Sequence, residues 1–349
     1  MEYKEPEPIR IDISDEVIIP KHYIVGKTMT ELKIDGIANE SEWAKSTFTD
    51  LFIDIEGSIK PKYDTKVKML WDDDYLYLYA ELEEEHIWGD LRERDAIIYY
   101  NNDFEIFIDP SGDTQNYGEI EINALGTIFD LMLNRPYKTG GHAIISWNIE
   151  GLKSAVHIDG TLNDASDIDS KWTVEMAIPL KAFVDLNRPK KAPVDGDLWR
   201  INFSRVNWEF DLIDGKYSRK KVDGKYLHEY NWVWSPQYVI NMHEPEKWGY
   251  LQFSDHSNSE NVEMIKDTYL FDKQVMYALF RLSKSNKIES LKNHQAGIER
   301  VVEAKIGNSS YIYAFYQKTY KGFEFTYTSH FTQTKYIIDE EGLLKIISK

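Results

Sequence analysis

Three short stretches place carboxylate, amide and guanidinium groups at every second position. D-F-E-I-F-I-D carries Glu105, E-I-E-I-N carries Glu121 and Asn123, and W-R-I-N-F-S carries Arg200 and Asn202. Alternate side chains of a strand share a face. Glu105, Glu121, Asn123, Arg200 and Asn202 are therefore expected on one sheet face, opposite Ile106, Ile122 and Phe203. Carboxylates beside a guanidinium and amides make directional hydrogen bonds to hydroxyls, the chemistry of sugar recognition. A salt network on an exposed sheet face explains the same pattern without a ligand. Aromatic residues on loops, namely Tyr99, Tyr100, Trp147, Trp208, Trp232 and Trp234, offer flat apolar surfaces for stacking. Taken singly, each is as well explained by packing.

Other chemistries are open at the same level. Asp109, Ser111 and Asp113 alternate oxygen ligands, as the start of a calcium loop does, but no bidentate Glu follows at the required distance. Asp164, Asp167 and Asp169 form a second acidic loop, and turn chemistry accounts for both. Glu105 and Glu121 could pair as glycoside hydrolase carboxylates. On an open face with Arg nearby both would stay ionised, which does not suit a general acid. Met242 and His243 could suggest haem, but neighbours in a strand point to opposite faces and cannot share one iron. Nothing matches G-x-S-x-G, a P-loop or a dinucleotide fingerprint, and Gly140-Gly141 reads as a plain turn. The nine His are scattered, with no H-E-x-x-H.

The elements that position these residues read as short strands. Val67, Met69 and Trp71 alternate with Lys68 and Leu70; Asp72-Asp73-Asp74 marks a turn; Leu76, Leu78, Ala80 and Leu82 alternate with Tyr75, Tyr77, Tyr79 and Glu81. That is an antiparallel hairpin over a core. Many such strands at about ten-residue spacing predict a mainly β chain: a two-sheet antiparallel β-sandwich over residues 21–254, with Ile106, Ile122, Val174 and Phe203 buried. Residues 1–20 read as an extended lead-in. Beyond a polar linker near Ser254, residues 255–349 read as a small α+β unit, with a helix from Asn261 to about Ser283 and short strands after it.

Composition narrows the partners. Of 349 residues, 42% are hydrophobic and 29% charged, a globular mix, with 23 Tyr and 10 Trp. A net charge of −18 repels phosphate backbones, so nucleic acid is not expected. Cysteine is absent, which removes disulfide and thiol chemistry. No apolar run approaches the roughly 20 residues that span a bilayer.

W-D-D-D-Y-L-Y-L-Y-A followed by D-F-E-I-F-I-D-P-S-G-D resembles the family 9 carbohydrate-binding modules. I-D-G-I-A-N-E-S-E-W (Ile34 to Trp43), W-T-V-E-M-A-I-P-L and W-R-I-N-F-S-R-V are similar to further motifs of that family, in the same order. N-W-V-W-S-P and M-H-E-P-E-K-W-G are shared with family-9-like proteins common in Bacteroidetes. The resemblance covers roughly residues 21–254. It implies a non-catalytic module that binds an oligo- or polysaccharide in polysaccharide use, holds calcium and is exported from the cytoplasm. Residue by residue, the slot of the first stacking Trp holds Tyr99 or Tyr100, and Glu105 matches a ligand-contacting Glu. A family Arg is replaced by Glu121, and the second stacking Trp falls at about Met242. The resemblance therefore implies the fold, and not the same recognition of a sugar end.

Overall fold

The computed structural model describes residues 7–186, 192–288, 291 and 295–347. Two compact units are present: residues 20–135 and 142–265 form one, and the remaining described residues the other.

The larger unit is a β-sandwich. One half runs in the order Lys153–Asp159, Lys171–Pro179, Tyr75–Glu83, Thr65–Trp71, His22–Lys27, and the other in the order Gly249–Ser254, Leu198–Asn207, Asp103–Asp109, Tyr117–Asn123, Ile128–Leu133. Within the halves, neighbours are antiparallel apart from the pair His22–Lys27 with Thr65–Trp71. His22–Lys27 also pairs in parallel with Gly249–Ser254, so one strand joins the two halves into a continuous hydrogen-bonded ribbon. Apolar side chains of both halves meet in a single core. Val67, Met69, Trp71, Leu78 and Val174 come from one half, and Ile106, Ile122, Phe203 and Phe253 from the other. The period-two pattern produced this: every second residue had to leave water, and only a facing layer could cover it.

The smaller unit is α+β. Its sheet runs Ile9–Asp12, Glu299–Ile306, Ser310–Lys318, Phe323–Thr328, Lys335–Asp339, Leu344–Ile347. The helix Leu270–Lys284 packs Val275, Met276, Leu279 and Phe280 against the same cluster as Val302, Ala314, Phe325 and Ile338. Ile9–Asp12, read from sequence as part of an extended lead-in, is an edge strand paired in parallel with Glu299–Ile306. Ile9 and Ile13 are buried and Arg10 and Asp12 exposed, so its alternation has a sheet to serve. The helix begins at Leu270 rather than near Asn261. In the larger unit, the Gln252 side chain donates to the Glu263 carbonyl at 3.0 Å and accepts from the Ile265 amide at 2.8 Å, which takes backbone groups that a helix would need.

Candidate functional site

The expected polar stripe exists, but it is buried. Glu105 stands opposite both Ser204 and Glu121, Phe107 opposite both Asn202 and Glu119, and Asp103 opposite Asn123. These residues share one face, as the alternation required. A second apolar cluster covers part of that face, with Phe107, Tyr117 and Leu131 from the strands and Met242 and Trp248 from the segment before the last strand. Glu105 is 6% exposed and Glu121 3%.

Three of the expected sugar-contacting residues are engaged by the protein itself. Asn123 donates to the Leu91 carbonyl at 2.8 Å and accepts from the amides of Leu125 and Thr127 at 3.0 and 3.1 Å. Asn202 donates to the Ser235 carbonyl at 2.9 Å and accepts from the Ser235 amide at 2.8 Å. Arg200 donates to the Trp248 carbonyl at 2.8 Å, and its guanidinium lies 3.7 Å above the Tyr250 ring. The stripe thus ties the covering segments to the sheet.

What remains is a group of acids. Asp103, Glu105, Glu119 and Glu121 are all buried. Among the described residues no Lys or Arg forms an ion pair with any of them. Burial pushes the Glu105 carboxyl up to about 7. Burial and then the Glu105 charge raise Asp103, Glu119 and Glu121 well above the carboxylate range. The expectation that Arg would keep Glu105 and Glu121 ionised is therefore corrected, because Arg200 is turned toward Tyr250. Their burial also denies both carboxyls the open approach to a glycosidic oxygen that a general acid needs. Asp103 and Glu119 were missed in the sequence, although they continue the spacing of Glu105 and Glu121.

The aromatic residues divide. Tyr99 is half-buried and Tyr100 is exposed, with ring centroids 4.6 Å apart. Trp208 is buried, and its Nε1 donates to the Tyr99 carbonyl at 2.8 Å. Trp232 and Trp234 belong to the main core, with Trp234 6.0 Å from Phe203. A Cβ on Gly249 would meet the Trp234 ring at 2.3 Å, so this tryptophan needs a glycine beside it. Trp234 is a core residue and not a ligand platform. Met242 packs in the covering cluster, while His243 pairs its Nδ1 with the Tyr117 hydroxyl at 2.9 Å.

The Asp109 loop closes on itself. Asp109 accepts from the Ser111 amide and hydroxyl at 3.1 and 2.9 Å, from the Gly112 amide at 2.8 Å and from the Thr114 amide at 2.8 Å. Burial, followed by the Asp113 charge, raises its pKa to about 6. Asp113 accepts from the Gln115 amide at 2.9 Å. Asp109 thus meets N–H and O–H donors of its own loop, an arrangement that suits a self-capped turn better than an ion cage.

A cleft of about 420 Å³ lies beside the sheet edge, and sequence reading had found only its Trp208 and Trp232. Tyr63, Tyr230 and Phe210 give it half-buried aromatic surface, while Glu84, Asn207 and Glu209 supply polar groups. The Tyr230 and Trp232 rings stack at 6.2 Å and 25°, and Tyr63 meets Trp232 edge-on at 6.2 Å. The Tyr230 hydroxyl donates to Glu209 at 3.0 Å. Glu84 accepts from Arg205 at 2.6 Å, Asn207 at 2.9 Å and Asn102 at 3.2 Å. Burial raises the Glu84 carboxyl, while the Arg205 guanidinium opposes that rise. A concave site with aromatic walls and a few fixed polar groups suits a neutral polyhydroxylated ligand.

The larger unit is thus a β-sandwich with an aromatic-lined cleft. Residues 34–198 match the family described as carbohydrate family 9 binding domain-like. No curated protein sequence matches the chain. Similar solved structures include a candidate carbohydrate-binding protein from Bacteroides uniformis ATCC 8492. It is 18% identical with a TM-score of 0.49, and the match covers 68% of this chain and 100% of that one. A family 9 module from Caldicellulosiruptor kristjanssonii in complex with cellotriose is 15% identical with a TM-score of 0.44, covering 70% of this chain and 100% of that one. The glucose complex of a family 9 module from the same organism is 14% identical with a TM-score of 0.42, covering 69% and 100%.

Proposed function

We propose that the larger unit binds a glycan fragment without cleaving it, as part of polysaccharide use, and that the fragment lies in the cleft at Tyr63 and Tyr230. One observation supports the placement: this cleft has half-buried aromatic surface at Tyr63, Phe210 and Tyr230 beside the half-buried Glu209, whereas the stripe at Asn123 and Asn202 is buried and bonded to the protein's own backbone. The family match over residues 34–198 supports the ligand class. Sugar rings present an apolar face to an aromatic ring and hydroxyls at their edge, and the cleft answers both. A glycan array, followed by calorimetry on the glycans retained, tests the binding. A reducing-sugar assay on the same glycans tests the absence of cleavage. An array with no retained glycan, or release of reducing ends, overturns the reading.

A further inference from the structure

Asp103, with 0% exposure, is the most deeply buried of the four acids, and neither of its carboxylate oxygens accepts a hydrogen bond of normal geometry. The Val206 amide gives it only a weaker electrostatic contact. Around it, one carboxylate oxygen each from Asp103, Glu105 and Glu121 lie within 4.8 Å of one another. Two oxygens that share one calcium ion at about 2.4 Å each can be at most about 4.8 Å apart. The three carboxylates therefore stand at the spacing of ligands to a common ion.

We propose that Asp103, Glu105 and Glu121 form a binding site for a divalent, oxygen-preferring cation of calcium's class. The ligand set is hard and carries no nitrogen or sulfur, which disfavours zinc and copper. Ser204, opposite Glu105 on the neighbouring strand, adds a buried hydroxyl oxygen. Glu121 also accepts the Tyr99 amide at 3.1 Å, which fixes its carboxylate in place. A buried carboxylate without a counter-charge is costly, and several together at adjacent strand positions are more so. A cation removes that cost; shared protons are the competing explanation, since burial raises all of these groups. The site is separate from both the Asp109 turn and the aromatic cleft, so it stands independently of the proposed glycan binding.

The test uses the full chain, stripped with chelator and dialysed at about pH 7.5. Calcium chloride, and then manganese chloride, is titrated in by calorimetry, and the melting temperature is followed with and without the ion. The wild type and the control Asp113→Asn should each bind one ion and melt several degrees higher in excess calcium. Asp103→Asn, which keeps the shape and removes a buried charge, should bind at least tenfold more weakly. Glu121→Gln is the second variant if Asp103→Asn does not fold. Absence of heat and of any melting shift with both ions in the wild type assigns the cluster to shared protons and overturns the proposal. Loss of binding in Asp113→Asn with retention in Asp103→Asn moves the ion to the Asp109 turn and also overturns it, as does binding unchanged in every variant.

Discussion

Glu105 and Glu121 stand directly opposite one another in adjacent antiparallel strands, both buried, with no basic side chain paired to either among the described residues. Like charges at facing positions destabilise a sheet, and burial strengthens the repulsion. Glu121→Gln keeps the acceptor for the Tyr99 amide and removes a carboxyl whose ionisation burial and Glu105 oppose. In chelator at about pH 8 it should melt higher than the wild type, by the equivalent of about 1–2 kcal/mol. A lower melting temperature would show that the carboxylate is needed as such.

Arg205 donates to Glu84 at 2.6 Å, and both side chains are buried. Removing one partner strands the other charge. Arg205→Met should cost about 3–5 kcal/mol in denaturant unfolding, and the double variant with Glu84→Leu should recover much of it. Additive losses would mean that the two residues act separately.

Tyr23 is held inside the sandwich by three contacts. Its hydroxyl donates to the Thr47 carbonyl at 2.6 Å, accepts from the Met69 amide at 3.0 Å and lies 2.9 Å from Ser46 Oγ. Tyr23→Phe leaves buried polar groups unpaired and should cost about 1–3 kcal/mol at neutral pH. Burial raises its phenol from 10.0 to about 12. A raised acid contributes fully below its unfolded value and loses that contribution as pH climbs to the folded one. The stability gap between wild type and Tyr23→Phe should therefore narrow between pH 10 and about 12, as measured by denaturant melts across that range. A constant gap would mean that the phenol titrates normally.

Tyr230 is half-buried, stacks on Trp232 and borders the cleft. Tyr230→Ala should weaken binding of any glycan retained on the array by about tenfold, read by calorimetry. Its melting curve should fall less than that of a core substitution, because the side chain is half-buried and packs only against the outside of the main core. Unchanged affinity would move the glycan away from this cleft.

The alternating residues determined the strands, the core positions Ile106, Ile122, Val174 and Phe203, and which residues share the opposite face. Periodicity is local, and it survives whatever the rest of the chain does. It could not say that Phe107, Tyr117, Leu131, Met242 and Trp248 would cover that opposite face, because Met242 and Trp248 lie far along the chain from the strands they meet. The tertiary structure therefore decided that Glu105 and Glu121 are buried acids rather than an open stripe, and that Asp103 joins them. It also placed Trp234 beside Gly249, and it built the cleft from segments near residues 60, 84, 208 and 230. A strand's own sequence records which side chains point away from the core; only the chain that folds back over them decides whether they meet water, a ligand or one another.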